Sequence, residues 1–188
     1  KLTPLIKSKK YVIVTGSENT RNSENVFTRS GEYIIASKNE TKIVINRIAN
    51  AINVIGNNPK NCVRVFKDLM ECITKLYDKS KSILFFEVVT TVILKPKGNP
   101  SALFKKFVNI NFNELYPKSK VPPTAIQFGN LPESGESDGI EVTFRPQPTN
   151  PDENFVLTIF YRKKTEEDII EFSNNFEVNI EKIVKKME

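Results

Sequence analysis

The sequence predicts an α+β fold in which an antiparallel-rich sheet packs against two or three amphipathic helices. Three observations lead to this class. Strand-like patterns come in neighbouring groups, at residues 32–48 and 125–162, as they do in hairpins and meanders. Helix-like patterns come singly, between and after these groups. A long apolar run at residues 83–94, dense in Val, Ile, Phe and Thr, predicts a long central strand.

The N-terminal part of the chain predicts short strands and one β-hairpin. Residues 11–15 form a short apolar run typical of a strand, and residues 26–29 allow another. Residues 32–37 and 42–48 flank a turn at residues 38–41, which is the arrangement expected of a hairpin.

A helix is predicted to begin after Asn58. Its side chain can accept a hydrogen bond at the helix cap, and Pro59 suits the first helical position. Apolar residues then recur at helical spacing, with charged residues on the other side. The apolar residues are Cys62, Phe66, Leu69, Met70, Ile73, Leu76 and Tyr77.

The two cysteines, Cys62 and Cys72, are predicted to be free thiols. They lie ten residues apart on this helix, so their α-carbons would be roughly 15 Å apart at a rise of ~1.5 Å per residue. A disulfide needs α-carbons closer than ~7 Å. Two unpaired thiols indicate a reducing compartment, and we expect a cytoplasmic protein.

The region after the long apolar run predicts a short helix followed by an undecided segment. Asn99 and Pro100 repeat the cap pattern ahead of further apolar residues. Residues 108–113 alternate apolar side chains with asparagine and fit either a helix or a strand. Residues 117–123 are predicted to be a loop.

The C-terminal third predicts a three-strand meander and a last helix. The strands are expected at residues 125–128, 140–145 and 155–162. Thr165 and Asp168 approximate a capping box at the start of the helix. One stripe of this helix carries Ile169, Phe172, Phe176, Ile180, Ile183 and Met187.

The length of 188 residues fits a single domain spanning residues 1–188. An alternative is two related halves, at about residues 1–80 and 81–188. Each half would consist of a small sheet followed by an amphipathic helix. No apolar run reaches the ~18 to 20 residues that span a bilayer, so no membrane partner is predicted.

The chain contains no histidine and two cysteines. It therefore lacks the commonest general base near neutral pH and the commonest transition-metal ligand, as well as four soft ligands for zinc. With no recognisable catalytic motif, we expect neither a cofactor nor a metal, and no enzyme activity. The net charge of +6 suits nucleic acid, but the lysines are scattered, as AT-rich coding alone would produce.

Glu87 is the most notable candidate site residue, because it is the charged residue within the most apolar run. A carboxylate buried there would need a partner, since an unpaired buried charge is costly. We expect a hydrogen bond to Thr91 or to a basic side chain, or a position at a pocket. A structural role is favoured over acid–base chemistry.

Arg145, Tyr161 and Arg162 are the other candidate ligand-binding residues. They stand at predicted strand ends beside Phe144 and Phe160, and such groups can clamp an anion or stack on a base. Strand alternation nevertheless predicts that Phe144 points into the core and Arg145 away from it.

These observations together predict a non-catalytic cytoplasmic binding protein. Its ligand would be a protein partner, or a small molecule held between the sheet and the helices. One alternative is a nucleic-acid-associated protein that uses dispersed lysines with Arg145 and Arg162. A second alternative is an enzyme that uses the carboxylate of Glu87.

Overall fold

A computed structural model describes residues 2–13, 32–78, 83–100, 125–130 and 138–187. The chain divides into two compact units, Lys1–Ile83 and Leu84–Glu188. Each unit has a four-strand antiparallel sheet and two helices among its described residues, so the predicted α+β class is confirmed. Four predicted segments lie outside the described residues. They are residues 26–29, the helix after Pro100, residues 108–113 and residues 117–123.

The described residues of the first unit form two helices and four strands in the order αββββα. These are α1 (Leu2–Ser8), β1 (Val12–Ile13), β2 (Glu32–Lys38), β3 (Thr41–Asn46), β4 (Ala51–Ile55) and α2 (Pro59–Thr74). The strands form an antiparallel meander in sequence order, β1-β2-β3-β4. The predicted hairpin is confirmed as β2 and β3.

The hairpin turn consists of Asn39 and Glu40. Both have a positive φ, 49° and 61°, as a two-residue turn of type I′ requires. This turn twists in the same sense as the strands that it joins, which fixes the register of the hairpin. Asparagine adopts this conformation more readily than most residues, which explains its place at the first turn position.

Two elements of the first unit were not predicted, α1 and β4. The α1 helix has seven residues and includes Pro4, and its only buried residue is Ile6. The β4 strand has five residues, with Asn53 at its centre. Segments this short show too few turns or alternations for a periodic pattern, and their contacts with the rest of the unit stabilise them.

The α2 helix is confirmed with the predicted start. The side chain of Asn58 accepts a hydrogen bond from the backbone N–H of Asn61, and Pro59 occupies the first helical position. The helix ends at Thr74, earlier than the apolar pattern indicated. The N–H groups of Leu76 and Tyr77 both donate to the carbonyl of Ile73, which tightens and closes the last turn.

The core of the first unit lies between its sheet and its helices. It consists of Ile6, Tyr11, Ala36, Ile43, Val65, Leu69, Met70, Cys72 and Ile73. The buried side chain of Thr41 lies beside Cys62 and Gly56. Both cysteines are free, as predicted, and burial raises the pKa of each thiol.

An ionic network joins α1, β2 and α2 at the edge of this core. The hydroxyl of Tyr11 donates to Asp68 at 2.9 Å, and the ammonium of Lys38 lies 3.5 Å from the same carboxylate. Glu71 accepts hydrogen bonds from Lys75 and Lys9. These two bonds lower the pKa of Glu71 to about 2, the bond from Lys75 contributing most.

Glu71 is therefore expected to contribute pH-dependent stability. Its ordinary pKa is 4.5 and its folded value is about 2, so the contribution is complete above about pH 4.5 and is lost as the pH falls towards 2. Urea unfolding should show a stability difference between wild type and Glu71→Gln that disappears over this range. The matched control is Glu181→Gln on an exposed site. A difference that stays constant down to the lowest pH would contradict the network.

The described residues of the second unit form four strands and, after them, two helices. These are β5 (Phe86–Leu94), β6 (Ile126–Gly129), β7 (Gly139–Pro146), β8 (Phe155–Lys163), α3 (Glu166–Asn174) and α4 (Phe176–Met187). The sheet order is β5-β8-β7-β6, with every neighbouring pair antiparallel. The predicted meander is confirmed as β6, β7 and β8.

Among the strands that the structure describes, the long apolar strand is not central, contrary to the prediction. Among the described strands, β5 pairs only with β8 and forms an edge of the sheet. Its apolar residues on both faces suggested burial on both sides. One of these faces nevertheless meets solvent, since Val89 and Ile93 are 54% and 58% exposed. High β-propensity alone does not distinguish an edge from a centre.

The last predicted helix is two helices, α3 and α4, with a break at Asn175. This residue leaves the helical conformation, and both its backbone N–H and its side-chain amide donate to the carbonyl of Glu171. Asparagine commonly ends helices because its side chain competes for such bonds. The predicted cap at Thr165 is confirmed, since its hydroxyl accepts a bond from the backbone N–H of Asp168. The carboxylate of Asp168 accepts from the hydroxyl of Thr165, whereas in a full capping box it would accept from the backbone N–H.

The core of the second unit lies between the sheet and the two helices. Its fully buried members are Phe144, Phe155, Leu157, Ile159 and Ile180. Phe144 and Phe155 meet edge to face, with ring centroids 5.7 Å apart. The helices add Phe172, Phe176, Ile183 and Val184, which are partly buried. No helix in the described part of the chain is long and apolar enough to cross a membrane.

Candidate functional site

The strand register of the second unit sorts the predicted site residues onto two faces of its sheet. Residues directly opposite each other in antiparallel strands point to the same side. Glu87 lies opposite Arg162, and Arg145 lies opposite Val156 on that same side. Tyr161 follows the alternate positions of β8 and points to the helix-packed side. The four residues therefore do not form one site.

Glu87 and Arg162 form an ion pair across β5 and β8. The Nε and Nη2 atoms of the guanidinium donate to Oε2 of the carboxylate at 3.0 and 2.8 Å. The guanidinium also lies over the ring of Phe85, 4.2 Å from its centroid. The expectation that Glu87 bonds to a basic side chain is confirmed. The two side chains are only 23% and 12% exposed, so each reduces the cost of burying the other's charge.

Tyr161 belongs to the packing of the helices. Its ring stacks on that of Phe172 in α3, with centroids 4.2 Å apart and an interplanar angle of 14°. Burial raises the pKa of its hydroxyl. The side chain thus takes part in the packing between the sheet and the helices, which is the place predicted from the sequence for a small molecule.

Arg145 lies on the same face as Arg162 but far from it. Arg145 lies opposite Val156 on β8, and Val156 and Arg162 are six residues apart along that strand. At about 3.3 Å per residue, this separation along the strand is roughly 20 Å. Arg145 is exposed, as predicted, while its neighbour Phe144 is buried in the core.

The sheet face opposite the helices is the candidate site, and we call it the open face. Four cross-strand rows run over it. The first row holds Glu87 and Arg162, and the second holds Val89, Phe160 and Glu141. The third holds Thr91, Thr158, Thr143 and Gln127, and the fourth holds Ile93, Val156 and Arg145.

The apolar part of the open face lies mainly along β5 and β8. Val89 and Ile93 project into solvent on either side of Thr91, whose hydroxyl lies 3.3 Å from that of Thr158. Phe160 stands beside Val89 on the neighbouring strand. This arrangement gives a rigid surface of β-branched and aromatic side chains with hydroxyl groups in its middle.

The charged groups within these four rows balance each other. Glu87 and Glu141 carry two negative charges, and Arg145 and Arg162 carry two positive charges. The chain as a whole has a net charge of +6, so its excess of basic residues lies elsewhere. This face therefore does not concentrate positive potential.

The exposure of Val89, Thr91 and Ile93 was not predicted from the sequence. Six consecutive residues, Val88 to Ile93, are β-branched, so hydropathy does not alternate along the strand. One signal in the sequence does indicate which face is exposed: the polar residues Glu87 and Thr91 belong to the same alternating series. The other series over the strand, from Phe86 to Leu94, has Thr90 as its only polar member.

The described residues contain no group of three or more Cys, Asp and Glu side chains arranged to hold a metal ion. The open face consists of apolar, hydroxyl and paired charged groups. Comparisons with protein-family models, curated proteins and solved structures found no match to this chain.

Proposed function

We propose that this protein is a binding module that recognises a protein partner through the open face of its second unit. The observation that carries the proposal is the exposure of Val89 and Ile93, at 54% and 58%, on a regular strand next to Phe160. Covering these side chains removes apolar surface from water and so favours association.

The stiffness of this surface supports the proposal. Val, Ile and Thr have few rotamers, and the strands hold their backbones, so little conformational entropy is lost on binding. The hydroxyl row of Thr91, Thr158 and Thr143 adds hydrogen-bonding groups. The charges of Glu87, Arg162 and Arg145 lie towards the ends of the face, where they can provide a polar rim.

The charge balance of the open face favours a protein over a nucleic acid. Nucleic-acid surfaces gain affinity when basic side chains neutralise phosphates and release counterions. The open face instead pairs Arg162 with Glu87. Both hydrogen bonds from Arg162 already engage the carboxylate of Glu87, which favours a structural role for this residue over a role in catalysis.

The proposal is tested by capture from an extract of the cells that produce the protein. The immobilised chains are the wild type, Ile93→Arg on the open face and Val178→Arg on α4, where the replaced valine is equally exposed. We expect specific proteins to bind the wild type and the Val178→Arg variant, and to be lost with Ile93→Arg. Proteins retained equally by all three chains would contradict a role for the open face.

The nucleic-acid alternative gives a separate prediction. We expect the purified chain to bind generic duplex or single-stranded DNA or RNA with a dissociation constant no tighter than ~10⁻⁶ M at physiological salt. Fluorescence anisotropy over a salt series measures this directly. Nanomolar binding that weakens steeply with salt would replace the protein-partner proposal with a nucleic-acid function.

A further inference from the structure

We propose that the β5 edge pairs with the β5 edge of a second copy of this chain, giving a two-fold symmetric dimer. This inference concerns the strand edge and does not depend on the proposed role of the open face. Its basis is the strand itself. β5 has nine residues and pairs with β8 without any register shift. Among the described strands, it has a neighbour on one side only.

Natural edge strands are usually protected against pairing by short length, bulges, prolines or charged side chains. Between Phe86 and Leu94, β5 contains no bulge, proline or lysine. Its one charged residue, Glu87, is paired with Arg162 of its own sheet, and six consecutive residues, Val88 to Ile93, are β-branched. The other edge strand of this sheet, β6, has only four residues and ends at Gly129. β5 is thus the edge of this sheet that is built to accept another strand.

Two-fold symmetry limits the register. An axis perpendicular to the sheet keeps the open faces of both copies on the same side, so a residue must lie opposite one of its own alternating series. Centring the axis on Thr91 gives a complementary arrangement. Thr91 then meets its own copy, Val89 meets Ile93, and Glu87 meets Lys95.

This register satisfies both polarity and charge. Two Val89–Ile93 contacts pack the sides of these apolar side chains together. At each end of the ladder Lys95, which otherwise makes an exposed 3.5 Å ion pair with Glu153, lies beside the Glu87–Arg162 pair. Moving the axis by one residue to Thr90 would place Glu87 opposite Ile93 and lose both gains. Pro96 follows Lys95 and ends the ladder there, because it has no N–H to donate.

The result would be a continuous eight-strand sheet with one extended open face. A single strand pair is a small interface, so we expect a dissociation constant in the micromolar range. Sedimentation velocity from about 1 µM to about 300 µM should show the wild type changing from monomer to dimer.

Thr91→Lys should raise that dissociation constant at least about tenfold, because two like charges would face each other on the axis. The matched control is Thr143→Lys, in the same row of the open face but on the interior strand β7. It should dimerise as the wild type does. A wild type that stays monomeric throughout the range would overturn the dimer, while leaving the capture test of the open face unaffected.

Oxidative crosslinking tests the register. With oxidised glutathione, Thr91→Cys should form a covalent dimer roughly tenfold faster than Ile48→Cys, a variant at another exposed site, because pairing raises the effective concentration. A mixture of Val89→Cys and Ile93→Cys should crosslink faster than either variant alone. The wild type, with Cys62 and Cys72, gives the background rate. Equal rates for Thr91→Cys and Ile48→Cys would contradict pairing through β5.

Discussion

Leu157→Ala is expected to lower the free energy of unfolding of the second unit by about 2 to 5 kcal/mol. Leu157 is 0% exposed and lies on β8, a central strand, among Phe144, Phe155 and Ile159. Removing its branched end deletes apolar contacts and leaves a cavity that the surrounding strands and helices can only partly close.

Far-ultraviolet circular dichroism during urea unfolding measures this loss, which suits a chain without tryptophan. The matched control is Leu84→Ala, because Leu84 is 75% exposed. We expect that variant to change the free energy of unfolding by no more than about 0.5 kcal/mol. Similar effects for the two leucines would mean that β8 does not form the centre of the core.

Gly129→Ala is expected to cost about 2 to 6 kcal/mol, the combined effect of backbone strain and steric overlap. Gly129 has a φ of 149°, a backbone conformation that residues with a side chain rarely adopt. A Cβ atom there would lie 2.2 Å from the carbonyl oxygen of Ile140 and 2.6 Å from the α-carbon of Glu141. Both are backbone atoms, so the pairing of β6 with β7 would have to shift.

Gly98→Ala is the control for this substitution. A Cβ atom at Gly98 meets nothing within 4 Å, and the backbone there does not need a positive φ. We expect the free energy of unfolding to stay within about 0.5 kcal/mol of the wild-type value. An equally small effect of Gly129→Ala would contradict the close approach of the β6 and β7 backbones at this position.

Elements with strong local signals were predicted correctly from the sequence. The α2 helix has both a cap at Asn58 and a long apolar stripe, and the β2–β3 hairpin has two alternating segments around a short turn. In each case the residues that determine the element lie within one short segment. The meander of β6, β7 and β8 was found for the same reason.

Features without such a local signal were not predictable from the sequence. The edge position of β5 is decided by which strands pair with β8, and nothing within β5 records that choice. The break between α3 and α4 depends on one asparagine whose neighbours continue the apolar stripe. α1 and β4 are too short to show a period.

The candidate site shows the same division. Strand alternation placed Phe144 in the core and Arg145 outside it, and the cost of burying Glu87 correctly indicated a basic partner. Arg162 pairs with Glu87 because the β5–β8 register places the two residues opposite each other, although they lie seventy-five positions apart in the sequence. The place of Tyr161 against Phe172 likewise follows from the docking of α3 on the sheet.

Methyl-resolved nuclear magnetic resonance of the wild-type chain tests most directly whether the open face is the binding surface. The partner identified by capture is added, and the methyl signals of Val89 and Ile93 are compared with those of Leu157 and Ile159 on the helix-packed face. We predict that the signals of Val89 and Ile93 shift or broaden first and most, while those of Leu157 and Ile159 hardly change. Perturbation of Leu157 and Ile159, or of the first unit alone, with Val89 and Ile93 unchanged would contradict this account.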